Sequence, residues 1–211
     1  DQELIEQKYP FKQIKIGIEK TIKRAIPIKY IKRLKALELK EFSSKDLARD
    51  IFLFSFYTRG MSFIDIAYLQ KSDLKNGTLS YRRKKTGQKL YIKWESCMEL
   101  IANKYSSKDS SPFIFSILDN TKGDVRKQCH NTLTLINRNL KIIGKEIGLE
   151  IPLTMYVARH SWATTARSEG VPVSIISEGM GHANEKTTQI YLASLENKVI
   201  DDANKKILKL L

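Results

Sequence analysis

The segment most restrictive for the fold is residues 74–94, because it carries the only strong β-hairpin pattern in the sequence. LKNGTLSYRRKKTGQKLYIKW places Asn76-Gly77 at its start and a Lys85-Thr86-Gly87 turn before the alternating run LYIKW. Other periodic segments repeat apolar residues every three to four positions, as amphipathic helices do. The sequence therefore predicts one domain that is mainly α with a small antiparallel β-sheet.

Start and stop signals locate the predicted helices. A first amphipathic helix, IKYIKRLKALEL, follows Pro27. Ser43 or Ser44, with Asp46, predicts an N-cap for a core helix that stops at Gly60, and a short helix, SFIDIAYL, follows it. SSKDSSPFIF has the composition of a loop. Further helices are expected over 95–104, over 124–148, from RHSWATTARSEG onward, and in the terminal segment NKVIDDANKKILKLL.

The charge balance indicates a polyanionic partner. The 211 residues contain 37 Lys and Arg against 23 Asp and Glu, a formal charge of +14. Such an excess costs self-repulsion, and nucleic acid is the partner that most simply accounts for it. No apolar run reaches membrane-spanning length and the first residues lack signal-peptide order, so a cytoplasmic protein is expected. Cys97 and Cys129 stand apart, which argues against a structural zinc or a disulfide scaffold.

The first 26 residues are basic and are interrupted by Pro10 and Gly17, so they are interpreted as a linker preceding a domain at 27–211. Because the chain does not begin with Met, a longer parent protein is expected. The leader's cations either follow a phosphate backbone or belong to a solvated tether. They include Lys12, Lys15, Lys23 and Arg24.

Three motifs carry candidate chemistry, and each alone has an ordinary structural explanation. GHANEKTTQIYL sets Tyr191 nine positions after His182, YVARHSWAT carries Arg159, and RRKKTGQK carries Lys85. Together they suit attack on a phosphodiester. A guanidinium meets nonbridging oxygens with two parallel hydrogen bonds, and a lysine can protonate the leaving oxygen. Histidine can donate a hydrogen bond or move a proton, and a phenol near cations can act as nucleophile.

This arrangement resembles the tyrosine recombinase (phage integrase) family, most closely its Bacteroides-type integrases. The resemblance extends from IPIKYIKRLKAL to GMGHANEKTTQIYL, and the blocks around Arg159 and Tyr191 are the specific ones. It implies a helical catalytic domain whose small sheet carries the lysine. It also implies that Tyr191, Arg159, His182 and Lys85 are catalytic, and that the missing N-terminal part is a core-binding domain.

Two positions depart from the family pattern. Ser62 falls where the first catalytic arginine usually stands, and Arg59, about one helical turn away, is a candidate replacement. Tyr156 takes the place of the histidine in His-x-x-Arg, and a phenol is a poorer proton acceptor than imidazole. Arg59, Tyr156 and Ser62 are therefore provisional site residues.

The resemblance implies a reaction in which Tyr191 joins a 3′ phosphate and releases a 5′ hydroxyl, without a nucleotide cofactor or metal. Double-stranded DNA is the implied partner, with a tetramer on DNA and a monomer for the isolated fragment. Arg82, Arg83 and Lys84 on the hairpin are expected to bind DNA alongside the leader. The rival interpretations are an impaired DNA-binding member of the same fold, a metal-dependent transposase or nuclease, and a type IB topoisomerase. The C-terminal helix docks either on a neighbouring protomer or on its own core.

Overall fold

The computed structural model describes residues 24–106, 110–182 and 184–192, together with 204 and 208, and for residues 190 and 191 it describes the backbone. The first helices are α1 (Ile28–Ala36), α2 (Ser44–Tyr57) and α3 (Phe63–Ala67). The strands are β1 (Leu74–Lys75), β2 (Thr78–Arg82) and β3 (Lys89–Lys93). The later helices are α4 (Ser96–Lys104), α5 (Val125–Glu146), α6 (Met155–Ser168), α7 (Val173–Met180) and α8 (Glu185–Tyr191).

The three strands form an antiparallel sheet in the order β1-β2-β3. In the longer pair, Leu79 lies opposite Ile92 and Tyr81 opposite Leu90. All four side chains are buried, which is the alternation expected of a sheet with one face on a core. The mainly helical fold with a small antiparallel sheet is confirmed.

Helix α2 forms the centre of the core and packs against α4, α5 and α6. Its residues Ile51, Phe52 and Phe54 have no exposed surface. The Ser43 side chain accepts a hydrogen bond from the Asp46 backbone N–H, so the predicted N-cap is present. This packing fixes α6 against α2, and α6 carries Arg159.

Three features differ from the expectations. The Asn-Gly turn is preceded by a further short strand, β1, because Leu74 and Lys75 pair with β2. Phe113 and Phe115, inside the expected loop, are buried and form isolated bridges with Gln70 and Ser106. Ile26, assigned to the linker, is buried in the core, and its N–H donates to the Ser161 hydroxyl at 3.0 Å.

Two predictions fall on residues outside this description. These are the phosphate-tracking role of Lys12, Lys15 and Lys23 and the docking of the C-terminal helix. Among the described helices, none is long and apolar enough to cross a membrane.

Candidate active site

Arg159 lies on α6 with its guanidinium held by main-chain oxygens. It is 5% exposed. Nη1 donates to the Gly60 carbonyl at 2.7 Å, and Nη2 donates to the Met180 carbonyl at 2.7 Å. The first acceptor belongs to the α2–α3 turn and the second ends α7. The guanidinium is therefore oriented by two separate segments of backbone.

His182, just beyond the end of α7, contacts the same guanidinium. Its Nε2 lies 2.8 Å from Arg159 Nη2, and its Nδ1 lies 2.8 Å from the Thr188 hydroxyl on α8. Because a guanidinium only donates, Nε2 is assigned as acceptor and Nδ1 as the protonated nitrogen. Burial lowers the pKa of His182, and the charges of Arg159 and Arg83 lower it further, to about 4. The imidazole is neutral at pH 7.

Arg83, expected from the sequence to bind DNA together with Arg82 and Lys84, lies on the same side of the site. It is 8% exposed, and its Nη1 donates to the Gly181 carbonyl at 2.6 Å. The physical reason is the strand alternation, since Arg83 continues the inward face formed by Leu79 and Tyr81. The alternation of the strand was the sequence signal for an inward-facing Arg83. It was not used, because arginine is rarely buried in proteins.

Two glycines allow these arginines to approach the backbone. A Cβ at Gly60, whose φ is +74°, would lie 2.7 Å from the Arg159 Cα. A Cβ at Gly181, whose φ is +65°, would lie 2.9 Å from the Arg83 Cδ. Both glycines also supply the carbonyl that accepts the arginine's hydrogen bond. Any side chain at either position would displace a guanidinium.

The hairpin turn between β2 and β3 carries Lys85, which is exposed. The turn closes through backbone hydrogen bonds from Arg83 N–H to Gln88 O at 2.9 Å and from Gly87 N–H to Arg83 O at 2.8 Å. Lys84 is exposed, and its N–H donates to Asp65 Oδ1 at 2.8 Å, which ties the turn to α3. Arg82 is exposed and donates to the Gly87 carbonyl. The turn is thus a fixed, solvent-facing cationic projection.

Ser62 and Arg59, the residues at and near the missing first arginine, have different surroundings. Ser62 caps α3, and its hydroxyl donates to Asp65 Oδ2 at 2.6 Å. Arg59 has a φ of +60° and lies between α2 and α3, so the helical spacing assumed for the pair does not exist. Its side chain lines a groove with Trp162 and Glu178. The contacts described for Arg59 do not place it beside His182.

Tyr156, at the position of the usual histidine, is 42% exposed. Its ring packs edge-on against His160, with centroids 4.6 Å apart, and the Arg24 guanidinium carbon lies 5.7 Å from its centroid. The contact between the Arg24 guanidinium and the Tyr156 ring thus packs the first described residue of the chain against α6. This contact was not foreseen, because Arg24 was assigned to DNA.

Tyr191 is the last residue of α8, one helical turn beyond Thr188. The helix begins with Asn184, whose side chain accepts from the Thr187 N–H at 3.1 Å. Because Thr188 contacts His182, α8 is joined to the Arg159 site at the turn preceding Tyr191. The structure places the backbone of Tyr191 near the site, and the nucleophilic role of its hydroxyl stays a prediction.

In the described ranges, no group of three or more His, Cys, Asp or Glu side chains is placed to hold a metal ion.

Comparison with known proteins gives a family assignment. The model of the Phage integrase family matches residues 29–198. The chain belongs to the phage integrase family. Arg159, His182 and Tyr191 all lie inside the matched range, as does the hairpin. Whether this integrase family member belongs to the Bacteroides type stays a prediction.

Individual relatives agree with this assignment. The tyrosine recombinase XerA of Pyrococcus horikoshii is 30% identical over 189 residues, covering 87% of this integrase-family chain and 64% of the relative. A crystal structure of XerA recombinase matches with a TM-score of 0.61 and 20% identity, covering 86% of this chain and 62% of that one. A lambda integrase tetramer bound to a Holliday junction matches with a TM-score of 0.57 and 17% identity, covering 82% and 49%. The chain spans less than two thirds of each.

Proposed function

We propose that this chain is the catalytic domain of a site-specific DNA recombinase that cuts and rejoins strands through a 3′-phosphotyrosyl intermediate. The observation that carries the proposal is the Arg159–His182 pair, with its buried guanidinium joined through Thr188 to the helix that ends in Tyr191. Family membership supports the same chemistry.

The proposed reaction balances as a transesterification. The Tyr191 phenol gives its proton to water, its oxygen attacks the phosphorus, and a new P–O bond forms as the P–O5′ bond breaks. The released 5′ oxygen takes a proton, for which Lys85 on the exposed turn is the proposed donor. A second strand's 5′ hydroxyl then displaces the tyrosine in the reverse sense. The bond energy is retained, because one phosphodiester replaces another.

The proposed roles of Arg159 and His182 follow from their geometry. As the pentavalent transition state forms, negative charge develops on the nonbridging oxygens of the phosphodiester. A guanidinium that is already oriented stabilises this charge without having to reorganise. His182, held as a neutral imidazole with Nε2 toward Arg159, is a positioning residue for the guanidinium.

Double-stranded DNA is the proposed substrate. The formal charge of +14 and the exposed hairpin cations Arg82, Lys84 and Lys85 suit phosphate backbones. The structural relative on a Holliday junction is a tetramer, and we propose the same assembly for this chain on DNA and a monomer away from it. The cytoplasmic location expected from the sequence is part of this proposal.

The test is covalent trapping on DNA. The purified protein is incubated in EDTA with a pool of nicked duplex oligonucleotides with randomised arms, in which cleavage releases a short fragment and prevents religation. We expect an adduct that resists SDS, is absent in Tyr191→Phe, and persists in the control Tyr30→Phe on α1. Sequencing the trapped DNA gives the preferred site.

Each alternative outcome identifies a rival. DNA binding without an adduct in the wild type would favour a catalytically impaired DNA-binding member. An adduct that persists in Tyr191→Phe would remove Tyr191 as nucleophile. Plasmid relaxation without exchange of strands between duplexes would favour topoisomerase chemistry.

A further inference from the structure

We propose that Arg83 is the second active-site guanidinium and binds the scissile phosphate together with Arg159. This inference rests on the proposed recombinase function and concerns the group that stands in for the first arginine, whose position Ser62 occupies. Arg83 is a residue of the hairpin, reaching the site from β2, whereas Arg159 reaches it from α6.

Arg83 carries a buried positive charge that lacks a salt-bridge partner among the described residues. The side chain is more than nine-tenths buried, and its Nε has no hydrogen-bond partner within the described part of the chain. The salt bridges found among these residues do not include Arg83 either. A buried guanidinium with a donor unused carries a desolvation cost that an anionic ligand removes.

The two guanidiniums are held at the same end of α7. Arg83 donates to the Gly181 carbonyl and Arg159 to the Met180 carbonyl, so consecutive residues at the end of α7 hold both guanidiniums. The next residue, His182, experiences both charges. Two cations fixed on neighbouring carbonyls repel each other, and a phosphodiester anion between them relieves that repulsion.

Ser62 and Arg59 are the other candidates for the role of the first arginine. The Ser62 hydroxyl donates a hydrogen bond to Asp65 Oδ2, and Asp65 Oδ1 accepts one from the Lys84 N–H. Arg59 lines the groove with Trp162, and its Cδ would be 3.6 Å from a Cβ at Gly179, in the last turn of α7. The charges that lower the His182 pKa are those of Arg159 and Arg83. Arg83 is therefore the guanidinium described beside both Arg159 and His182.

The test compares a charged and an uncharged scissile group. Single-turnover cleavage is measured with the nicked duplex selected by the wild type and with the same duplex carrying a methylphosphonate at the scissile position. On the phosphate, Arg83→Gln should slow cleavage about 100-fold or more, the effect of removing one transition-state donor. On the neutral methylphosphonate, the loss should fall below about tenfold, because less charge needs to be balanced.

The control is Arg138→Gln, an exposed arginine of α5, for which the two substrates should show the same small change. Duplex affinity and thermal unfolding are recorded for every variant. If Arg83→Gln does not fold, the two substrates are compared with Arg83→Lys, which keeps the buried charge but loses the parallel N–H donors of the guanidinium.

Three results would overturn the inference. They are full cleavage by Arg83→Gln, an equal loss on phosphate and methylphosphonate, or recovery on methylphosphonate in Arg59→Gln but not in Arg83→Gln. A wild type that forms no Tyr191-dependent adduct would instead refute the proposed function, so the two failures are distinguishable.

Discussion

The Nη2 of Arg159 lies 2.8 Å from the Nε2 of His182, whose other ring nitrogen contacts the Thr188 hydroxyl at 2.8 Å. This chain of contacts joins α6, the end of α7 and α8. It fixes the histidine tautomer, because Arg159 can only donate. The Thr188 hydroxyl, one turn before the proposed nucleophile, accepts the Nδ1 proton that this tautomer carries.

Replacing that threonine should slow cleavage without weakening DNA binding. Thr188→Val removes the acceptor for the Nδ1 proton, so the His182 ring is no longer held in place and Arg159 loses its oriented acceptor. We expect a loss of about 10- to 100-fold in single-turnover adduct formation, with the Kd for duplex unchanged. Thr188→Ser, which keeps the hydroxyl, should restore most of the rate. Equal rates in the two variants would contradict this role.

The lowered pKa of His182 predicts a specific acid sensitivity. An unfolded histidine has a pKa of 6.5 and the folded one about 4, so the unfolded chain binds more protons between these values. The free energy of unfolding therefore falls as the pH drops from 6.5 to 4. Urea unfolding should show the wild type losing about 1–2 kcal/mol more than His182→Gln between pH 7 and pH 4.5, allowing for partial exposure. Parallel losses would show that His182 is not held neutral.

Adding one methyl group at Gly60 should disturb both stability and chemistry. Gly60→Ala forces a left-handed backbone on a side chain that lies 2.7 Å from the Arg159 Cα. We expect the free energy of unfolding to fall by about 2–4 kcal/mol and adduct formation to be lost. The control is Gly77→Ala, where φ is +70° and no atom lies within 4 Å. It should cost about 1 kcal/mol, and an equal cost at both sites would contradict the predicted clash.

The anchor of the N-terminal segment on α6 is testable at Ser161. Ser161→Ala leaves the buried Ile26 N–H without its acceptor, so the free energy of unfolding should fall by about 1–3 kcal/mol. Ser168→Ala on the same helix removes an exposed hydroxyl bound to the Thr164 carbonyl and should change it by less than about 0.5 kcal/mol. Chemical denaturation of the two variants measures the difference. Indistinguishable values would mean that the anchor contributes nothing.

Local signals were sufficient for much of the architecture. The Asn76-Gly77 turn and the alternation in β2 and β3 predicted the sheet, and Ser43 with Asp46 predicted the start of α2. These features depend on neighbours in sequence, so short-range chemistry determines them. The Arg159–His182 contact was implied only through the family resemblance, because 23 residues separate the two.

The surroundings of single residues were harder to predict. Arg83 was assigned to DNA binding on the hairpin, and its burial was not foreseen, because it depends on the carbonyl of Gly181, 98 residues away. Arg59 was placed by helical spacing, but a left-handed turn interrupts the helix there. Ile26 was assigned to a linker, since its hydrogen-bond acceptor lies 135 residues away. Each depends on long-range contacts that a local pattern does not contain.

The end of α7 has a mechanical consequence. Since Met180 and Gly181 hold Arg159 and Arg83 through main-chain oxygens, no substitution of the side chains at these acceptors abolishes the acceptors themselves. Both positive charges are thus tied to consecutive main-chain oxygens, so a movement of this helix end acts on the two cations together.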